Sequence, residues 1–112
     1  MDLVTRARRF EVWLVTLDPT EGSEIAKTRP CVVISPDEMN RHLRTVIVAP
    51  MTSTVKDYPS RVDVTFRRRK GQVALDQIRT VDRSRLTDRM GQIPEQPARR
   101  IADTLVRMFD YD

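Results

Sequence analysis

The 112-residue sequence holds one cysteine, one histidine and three glycines, and each scarcity closes off a class of protein. With Cys31 alone there is no internal disulfide and no zinc-ligand set, so no metal is expected and a reduced, intracellular setting is. The single His42 stands beside Arg41 in Asn40-Arg41-His42-Leu43-Arg44 and reads as an exposed turn residue rather than a general base. There is no phosphate-cradling glycine loop, no H-E-x-x-H and no G-x-S-x-G. No apolar run approaches the roughly 20 residues that cross a bilayer. Met1 to Arg9 carries charge but no apolar stretch of signal-peptide length, so the expectation is a cytoplasmic protein with no membrane association.

What the chain does carry is charge. Lys and Arg total 20 against 16 Asp and Glu, a net +4, which suits a polyanionic partner without requiring one. This length predicts one domain, residues 1–112, because independent domains run from about 50 to 250 residues. A domain of this size buries roughly two thirds of the surface its unfolded chain exposes, enough for a core without staples. No internal repeat or low-complexity tract interrupts it.

Strand patterns dominate. Phe10 to Leu17 is rich in β-branched and aromatic residues and stops at Asp18-Pro19. Cys31 to Ser35 and Thr45 to Pro50 are short apolar runs of buried-strand character. Arg61 to Phe66 alternates polar Arg61, Asp63 and Thr65 with apolar Val62, Val64 and Phe66. Arg67 to Gly71 reads as a turn, Gln72 to Val81 as a continuation of the sheet, and Ser84 to Leu86 as a short edge piece. Five or six short strands with little helix between them favour a compact antiparallel barrel over a parallel sheet. At the end the period changes: Ala98, Ile101, Ala102, Leu105, Met108 and Phe109 form a helical stripe, with Pro94 and Pro97 suited to its first turn. A short helical turn is expected at Asp37 to His42, capped by Ser35 or Asp37.

Residues 18–29 and 52–60 are the long connections, and connections of that length are disproportionately functional. Polar residues gather at their ends: Glu24 in the first, Arg29 before the second strand, Thr52 after the third. If those two strands are antiparallel neighbours, Arg29 and Thr52 lie side by side and can share one phosphate. The pattern alone leaves open the plainer reading of a solvated charge, a turn hydroxyl and a loop carboxylate.

The order of these segments carries more. Glu11-Val12-Trp13-Leu14-Val15, Asp18-Pro19-Thr20 with Gly22-Ser23-Glu24, and Arg29-Pro30 before an apolar strand ending Ser35-Pro36 resemble the opening of MazF/PemK toxins. Val46 to Ser53, Tyr58-Pro59 and Ala74-Leu75-Asp76-Gln77-Ile78-Arg79 are similar to that family's later blocks, so the match spans about residues 10 to 109. The resemblance implies an SH3-like (CcdB/MazF-like) antiparallel barrel with a C-terminal helix, assembled as a homodimer with an RNA groove near the subunit interface. It implies a sequence-specific, cofactor-free endoribonuclease that cuts single-stranded mRNA, arrests translation and growth, and is neutralised by a cognate antitoxin. Arg29 and Thr52 take the catalytic positions and Glu24 a weaker third. Lys56, Arg61 and Arg79 read as a basic floor for RNA, and Ser23, Lys27, Ser53, Tyr58 and Gln77 complete the expected RNA-binding set. Tyr58 is a candidate to stack an unpaired base; Trp13, inside the first strand, reads as core. Arg67 to Lys70 is divided between groove edge and solvated turn. The alternative on the same fold is a CcdB-like gyrase poison, which carries a Trp-Gly-Ile ending where this sequence has Met108-Phe109-Asp110-Tyr111-Asp112.

RNA brings its own nucleophile. The ribose 2′-hydroxyl attacks the adjacent phosphorus and expels the 5′-oxygen, leaving a 2′,3′-cyclic phosphate and a 5′-hydroxyl. The protein has to align that attack and aim donors at the oxygens where negative charge grows. Arg29 fits because its planar fork of N–H groups grips two oxygens and keeps its charge near neutral pH; Thr52 adds a neutral hydrogen bond.

Overall fold

The computed structural model describes residues 7–111; residues 1–6, most of the amino-terminal segment read above, and residue 112 lie outside the described residues. Among the described residues, seven strands and two helices follow one another as β1 (Glu11–Thr16), β2 (Thr28–Val33), α1 (Asp37–His42), β3 (Thr45–Thr52), β4 (Arg61–Phe66), β5 (Arg69–Ala74), β6 (Arg79–Asp82), β7 (Leu86–Gln92) and α2 (Glu95–Phe109). Single 3-10 turns at Leu75–Gln77 and Arg83–Arg85 separate β5 from β6 and β6 from β7. Every pairing is antiparallel, in the order β4-β5-β3-β2-β1-β7 with β6 also on β3, and the sheet curls into a half-barrel as the sequence led one to expect. No helix of the described residues is long and apolar enough to cross a membrane.

β1, β2 and β3 are covered on both faces, which is why their sequences read as continuous apolar runs. On one face Val12, Val32 and Ala49 pack with Val62, Val64 and Val73 from β4 and β5 and with Ala98 and Ile101 from α2. On the other, Trp13, Val15, Cys31, Val33, Val46 and Val48 pack with Leu17, Val81 and Leu86. Burying a side chain such as Ile101, which is 0% exposed, contributes about 1.5–3 kcal/mol. Burial pushes the Cys31 thiol up to about 12, so it sits in the core as an inert small hydrophobe.

Several boundaries differ from the sequence reading. β2 begins at Thr28 rather than Cys31, since its first half is held by β1 through Thr16↔Thr28 and Val15↔Arg29. The expected turn over Arg67 to Gly71 shrinks to Arg67-Arg68; Arg69, Lys70 and Gly71 already pair with β4. Gln72 to Val81 does run along β3, but the 3-10 turn interrupts it. Of the edge piece expected at Ser84 to Leu86, Ser84 and Arg85 belong to the 3-10 turn and only Leu86 is strand, the first residue of β7, a seven-residue strand on β1. β7 escaped notice because most of it is exposed and two register shifts break its alternation. α1 takes Pro36 as its N-cap with no side-chain bond; Ser35 Oγ donates to Asn40 Oδ1 and Asp37 Oδ1 accepts from Arg9 N instead. In α2 the stripe is buried at Ala98 and Ile101, joined by Thr104, while Met108 and Phe109 are exposed.

Candidate active site

The site begins where two strands part. β2 and β3 pair through Val33↔Val48, Val32↔Ala49 and Cys31↔Pro50, and that register continued two residues further would set Arg29 opposite Thr52. The ladder stops short of them. β2 stays with β1 through Val15↔Arg29, whereas β3 turns to β5 through Met51↔Val73 and Thr52↔Gln72. The two side chains anticipated as neighbours therefore stand on diverging strands, with backbone hydrogen bonds already taken on their outer sides.

Both are half-buried and both keep donors in reserve. Arg29 Nε donates to Ala26 O at 3.0 Å, which orients the guanidinium; among the described residues its terminal NH2 groups make no bond within the chain. Thr52 Oγ1 accepts from Thr54 N at 3.1 Å, so its own hydrogen remains to be donated outward.

The connection from β1 to β2 is a closed loop. Asp18 Oδ1 accepts from Lys27 N (3.0 Å), and Leu17 N donates to Lys27 O (2.9 Å), with Lys27 at a φ of 69°. Ser23 and Glu24 are exposed within it. Glu24 is turned inward on its own loop: its Oε1 accepts from Glu21 N at 2.6 Å while its N–H donates to Glu21 O at 3.1 Å. One oxygen of the carboxylate is held this way, while the residue as a whole stays exposed.

Opposite the loop, β5 and β6 run along β3 with an insertion between them. Val73 faces Met51 and Arg79 faces Val48, so residues 74–78 are accommodated across only Ala49 and Pro50. The surplus is thrown out as the 3-10 turn, which presents Asp76 and Gln77 beside the loop. A cleft of about 240 Å³ lies between, lined by Ser23, Glu24, Ile25 and Pro50 on one side and Asp76, Gln77, Ile78 and Arg79 on the other. Four of the anticipated residues thus share one cleft: Ser23, Glu24, Gln77 and Arg79. Arg29 and Thr52 are not among its walls, although Arg29 and Arg79 both act on the Cys31 thiol between them.

Several of these side chains build the cleft as well as line it. Gln77 Oε1 accepts from Ile25 N (3.2 Å) and Arg79 Nη1 donates to Leu17 O (3.0 Å), tying the loop to the turn. Arg61 was placed on a basic floor, but its side chain is only 7% exposed and is committed to Asp76, through Nε to Oδ1 at 2.7 Å and Nη2 to Oδ2 at 3.2 Å. The Arg61 hydrogen bonds hold the Asp76 carboxyl below its usual range against a partial burial that pushes it up, and Ser60 Oγ adds a further bond at 3.0 Å. Exposed Tyr58 lies over the same guanidinium, 5.3 Å from ring centre to Cζ. Trp13 is 3% exposed and belongs to the core.

Residues 53–57 fold back over β5. Ser53 and Lys56 are exposed, yet the backbone of Lys56 is clamped on both groups by the buried Gln72, whose Oε1 accepts from Lys56 N (3.0 Å) and whose Nε2 donates to Lys56 O (3.1 Å). Next to it Gly71 passes so close to Thr52 that a Cβ there would lie 2.6 Å from the Thr52 carbonyl oxygen. Gln72, Gly71 and Asp76 were not singled out from sequence. The rarity of glycine was a usable signal for Gly71, and the polar pair Asp76-Gln77 between Leu75 and Ile78 breaks the strand pattern where the turn forms. Nothing in the local pattern marks Gln72 as buried.

Residues 8–109 match the family described as PemK-like, MazF-like toxin of type II toxin-antitoxin system. The chain is 38% identical over 93 residues to Endoribonuclease PemK of Escherichia coli, covering 78% of this chain and 70% of that protein. Over 104 residues it is 33% identical to Endoribonuclease EndoA of Bacillus subtilis, covering 88% and 90%. Among solved structures, the crystal structure of MazF (Form-I) from Deinococcus radiodurans is similar with a TM-score of 0.83 at 25% identity, over 98% of this chain and 100% of that one. MazE-MazF (Form-I) from the same organism is similar with a TM-score of 0.72 at 26% identity, over 98% and 100%.

Proposed function

The chain belongs to the PemK-like, MazF-like toxins of type II toxin-antitoxin systems, and from that premise we propose that it is a metal-independent endoribonuclease acting on single-stranded mRNA. The observation that carries the reading is the parting of β2 and β3, which leaves Arg29 and Thr52 at the mouth of the two diverging strands with donors in reserve. A phosphate seated between them receives the guanidinium fork on its non-bridging oxygens and the threonine hydroxyl beside it. The 2′-hydroxyl of the same nucleotide then attacks phosphorus, the bond to the 5′-oxygen breaks, and the products are a 2′,3′-cyclic phosphate and a 5′-hydroxyl. The exposed Glu24 is the candidate to take the 2′-proton.

Unpaired RNA enters because the site reads a splayed backbone rather than a duplex. Ser23, Lys27, Ser53 and Lys56 are exposed and available to RNA, and Tyr58 offers a ring face for a base. Gln77, Arg79 and Arg61 contribute chiefly by holding the loop and Asp76 in place. The proposed assembly is a homodimer controlled by a cognate antitoxin, in keeping with the toxin-antitoxin family and with the similarity to MazE-MazF. The direct test is to incubate purified protein with single-stranded RNA in excess EDTA. Cleavage with cyclic-phosphate and 5′-hydroxyl ends is expected, and loss of cleavage that returns with a divalent ion would defeat the metal-independent reading.

Thr52 supplies a second expected result. In Gly71→Ala the new methyl meets the Thr52 carbonyl oxygen at 2.6 Å, so one strand must move. Overpacking of this kind costs about 1–3 kcal/mol of stability. Because the displaced residue is Thr52 itself, turnover of RNA well below the melting temperature is expected to fall at least about tenfold, a misplacement effect of the kind that positioning predicts. A variant with a lowered melting temperature and unaltered turnover would remove Thr52 from the proposed chemistry.

A further inference from the structure

We infer that the basic tip of the β4–β5 hairpin, with the trough beside it, seats a nucleotide flanking the cut and grips its phosphate; this rests on the endoribonuclease reading and extends it. The tip is Arg67-Arg68, followed by Arg69 and Lys70 at the start of β5. Arg67 and Arg68 have φ of 52° and 67°, the left-handed values of a tight hairpin turn in which Asn-Gly is the favoured pair. Two arginines there bear backbone strain that glycine would relieve, and with Arg69 and Lys70 they make four adjacent positive charges. Among the described residues no carboxylate forms an ion pair with any of the four. Strain tolerated together with charge repulsion at one exposed turn points to side chains kept for a ligand, and the ligand that offsets the repulsion is an anion.

The position identifies which anion. A trough of about 460 Å³ runs along the hairpin, lined by Val55, Val64, Thr65, Lys70, Gly71 and Arg100. It adjoins the cutting site, because Gly71 is the residue that passes against the Thr52 carbonyl. Gln72 faces Thr52, so Arg69 lies three residues further along β5, about 10 Å at the usual strand rise and within reach of a flanking nucleotide. Val55, 69% exposed, gives an apolar wall for a base. The one carboxylate in the trough, Asp63, is already bonded by Gln72 Nε2 at 3.0 Å, and Arg100 donates to the Asp63 carbonyl at 3.1 Å. The tip is also fixed in place, since the Arg67 guanidinium bonds the Met90 carbonyl on β7 and lies 5.6 Å from the Phe66 ring centre. Cations beside a trough that reaches Gly71, which itself passes against the Thr52 carbonyl, favour single-stranded RNA over a protein partner.

The test compares two substrates: an RNA with several nucleotides on each side of the cut, and one with a single nucleotide on each side. The variant Arg68→Gly/Arg69→Thr/Lys70→Gln removes three charges, leaves Arg67 tethered, and gives the turn its preferred glycine, so its melting temperature should not fall. For the long RNA, KM is expected to rise about tenfold at moderate salt with turnover within about twofold, and the salt slope to become shallower by about 1 to 2. The short RNA should be cut as before. Lys70→Glu, a single change outside the turn, should raise KM for the long RNA in the same direction. Unchanged KM and salt slope in both variants would overturn the inference, as would unchanged RNA kinetics with weakened neutralisation by the antitoxin, which gives the tip to that partner. If the unaltered protein cuts neither RNA, the endoribonuclease reading itself fails and this seat fails with it.

Discussion

Replacing Arg29 with lysine is expected to lower turnover on the order of 100- to 1,000-fold with a much smaller change in KM. The charge survives in that variant, so the loss measures geometry. A guanidinium presents a planar fork to two phosphate oxygens, whereas an ammonium is a point charge on a flexible stem. Arg29 Nε donates to Ala26 O and orients the side chain, and among the described residues the two NH2 groups make no bond, which leaves the fork open to a phosphate. Removing one preorganised donor from a site where charge develops typically costs a factor of that size, about 2.7–4 kcal/mol. A guanidinium is a poor proton acceptor, so its task in this account is to stabilise the transition state rather than to take the 2′-proton.

Glu24→Gln should cost less. Its carboxylate accepts from Glu21 N in the resting loop, and glutamine can still accept there, so the loop is expected to close normally. What is lost is only the proton acceptor, for which water is a partial substitute. Steady-state turnover of both variants on one oligonucleotide decides the ranking. A larger loss at Glu24 than at Arg29 would make the carboxylate the principal catalytic group.

How much of this was legible beforehand can be read from particular residues. Arg29 and Thr52 could be picked out as a candidate pair because both stand at the ends of strands whose apolar runs are easy to see, and antiparallel pairing suggests that such ends meet; the catalytic role proposed for them rests on the family resemblance. Their separation onto diverging strands was not legible, because it depends on β3 exchanging β2 for β5 after Pro50, a choice made by tertiary pairing. Arg61 read as a free cation on an alternating strand; its capture by Asp76, fifteen residues away, is set by the 3-10 turn between β5 and β6. β7 was missed for a simpler reason: an exposed, bulged edge strand needs no apolar alternation to be held by β1. The helix and the doubly buried strands were clear because burial on one or both faces writes itself into the apolar pattern.

The largest effect expected is that of a single oxygen on the substrate. If the ribose supplies the nucleophile, replacing it by 2′-deoxyribose at the cut position removes the attacking group while leaving base, phosphate and charge as they were. Binding should persist, since neither Arg29 nor Thr52 is assigned to the 2′-oxygen in this account, so the modified strand should act as a competitive inhibitor of the unmodified one. A mechanism using activated water would instead attack the same phosphorus from outside and would tolerate the deoxy sugar. The measurement is therefore cleavage of an RNA oligonucleotide carrying one deoxyribose at the scissile position, with the all-ribose strand as control. The account predicts an intact modified strand that still competes for the enzyme; scission at that position would contradict it.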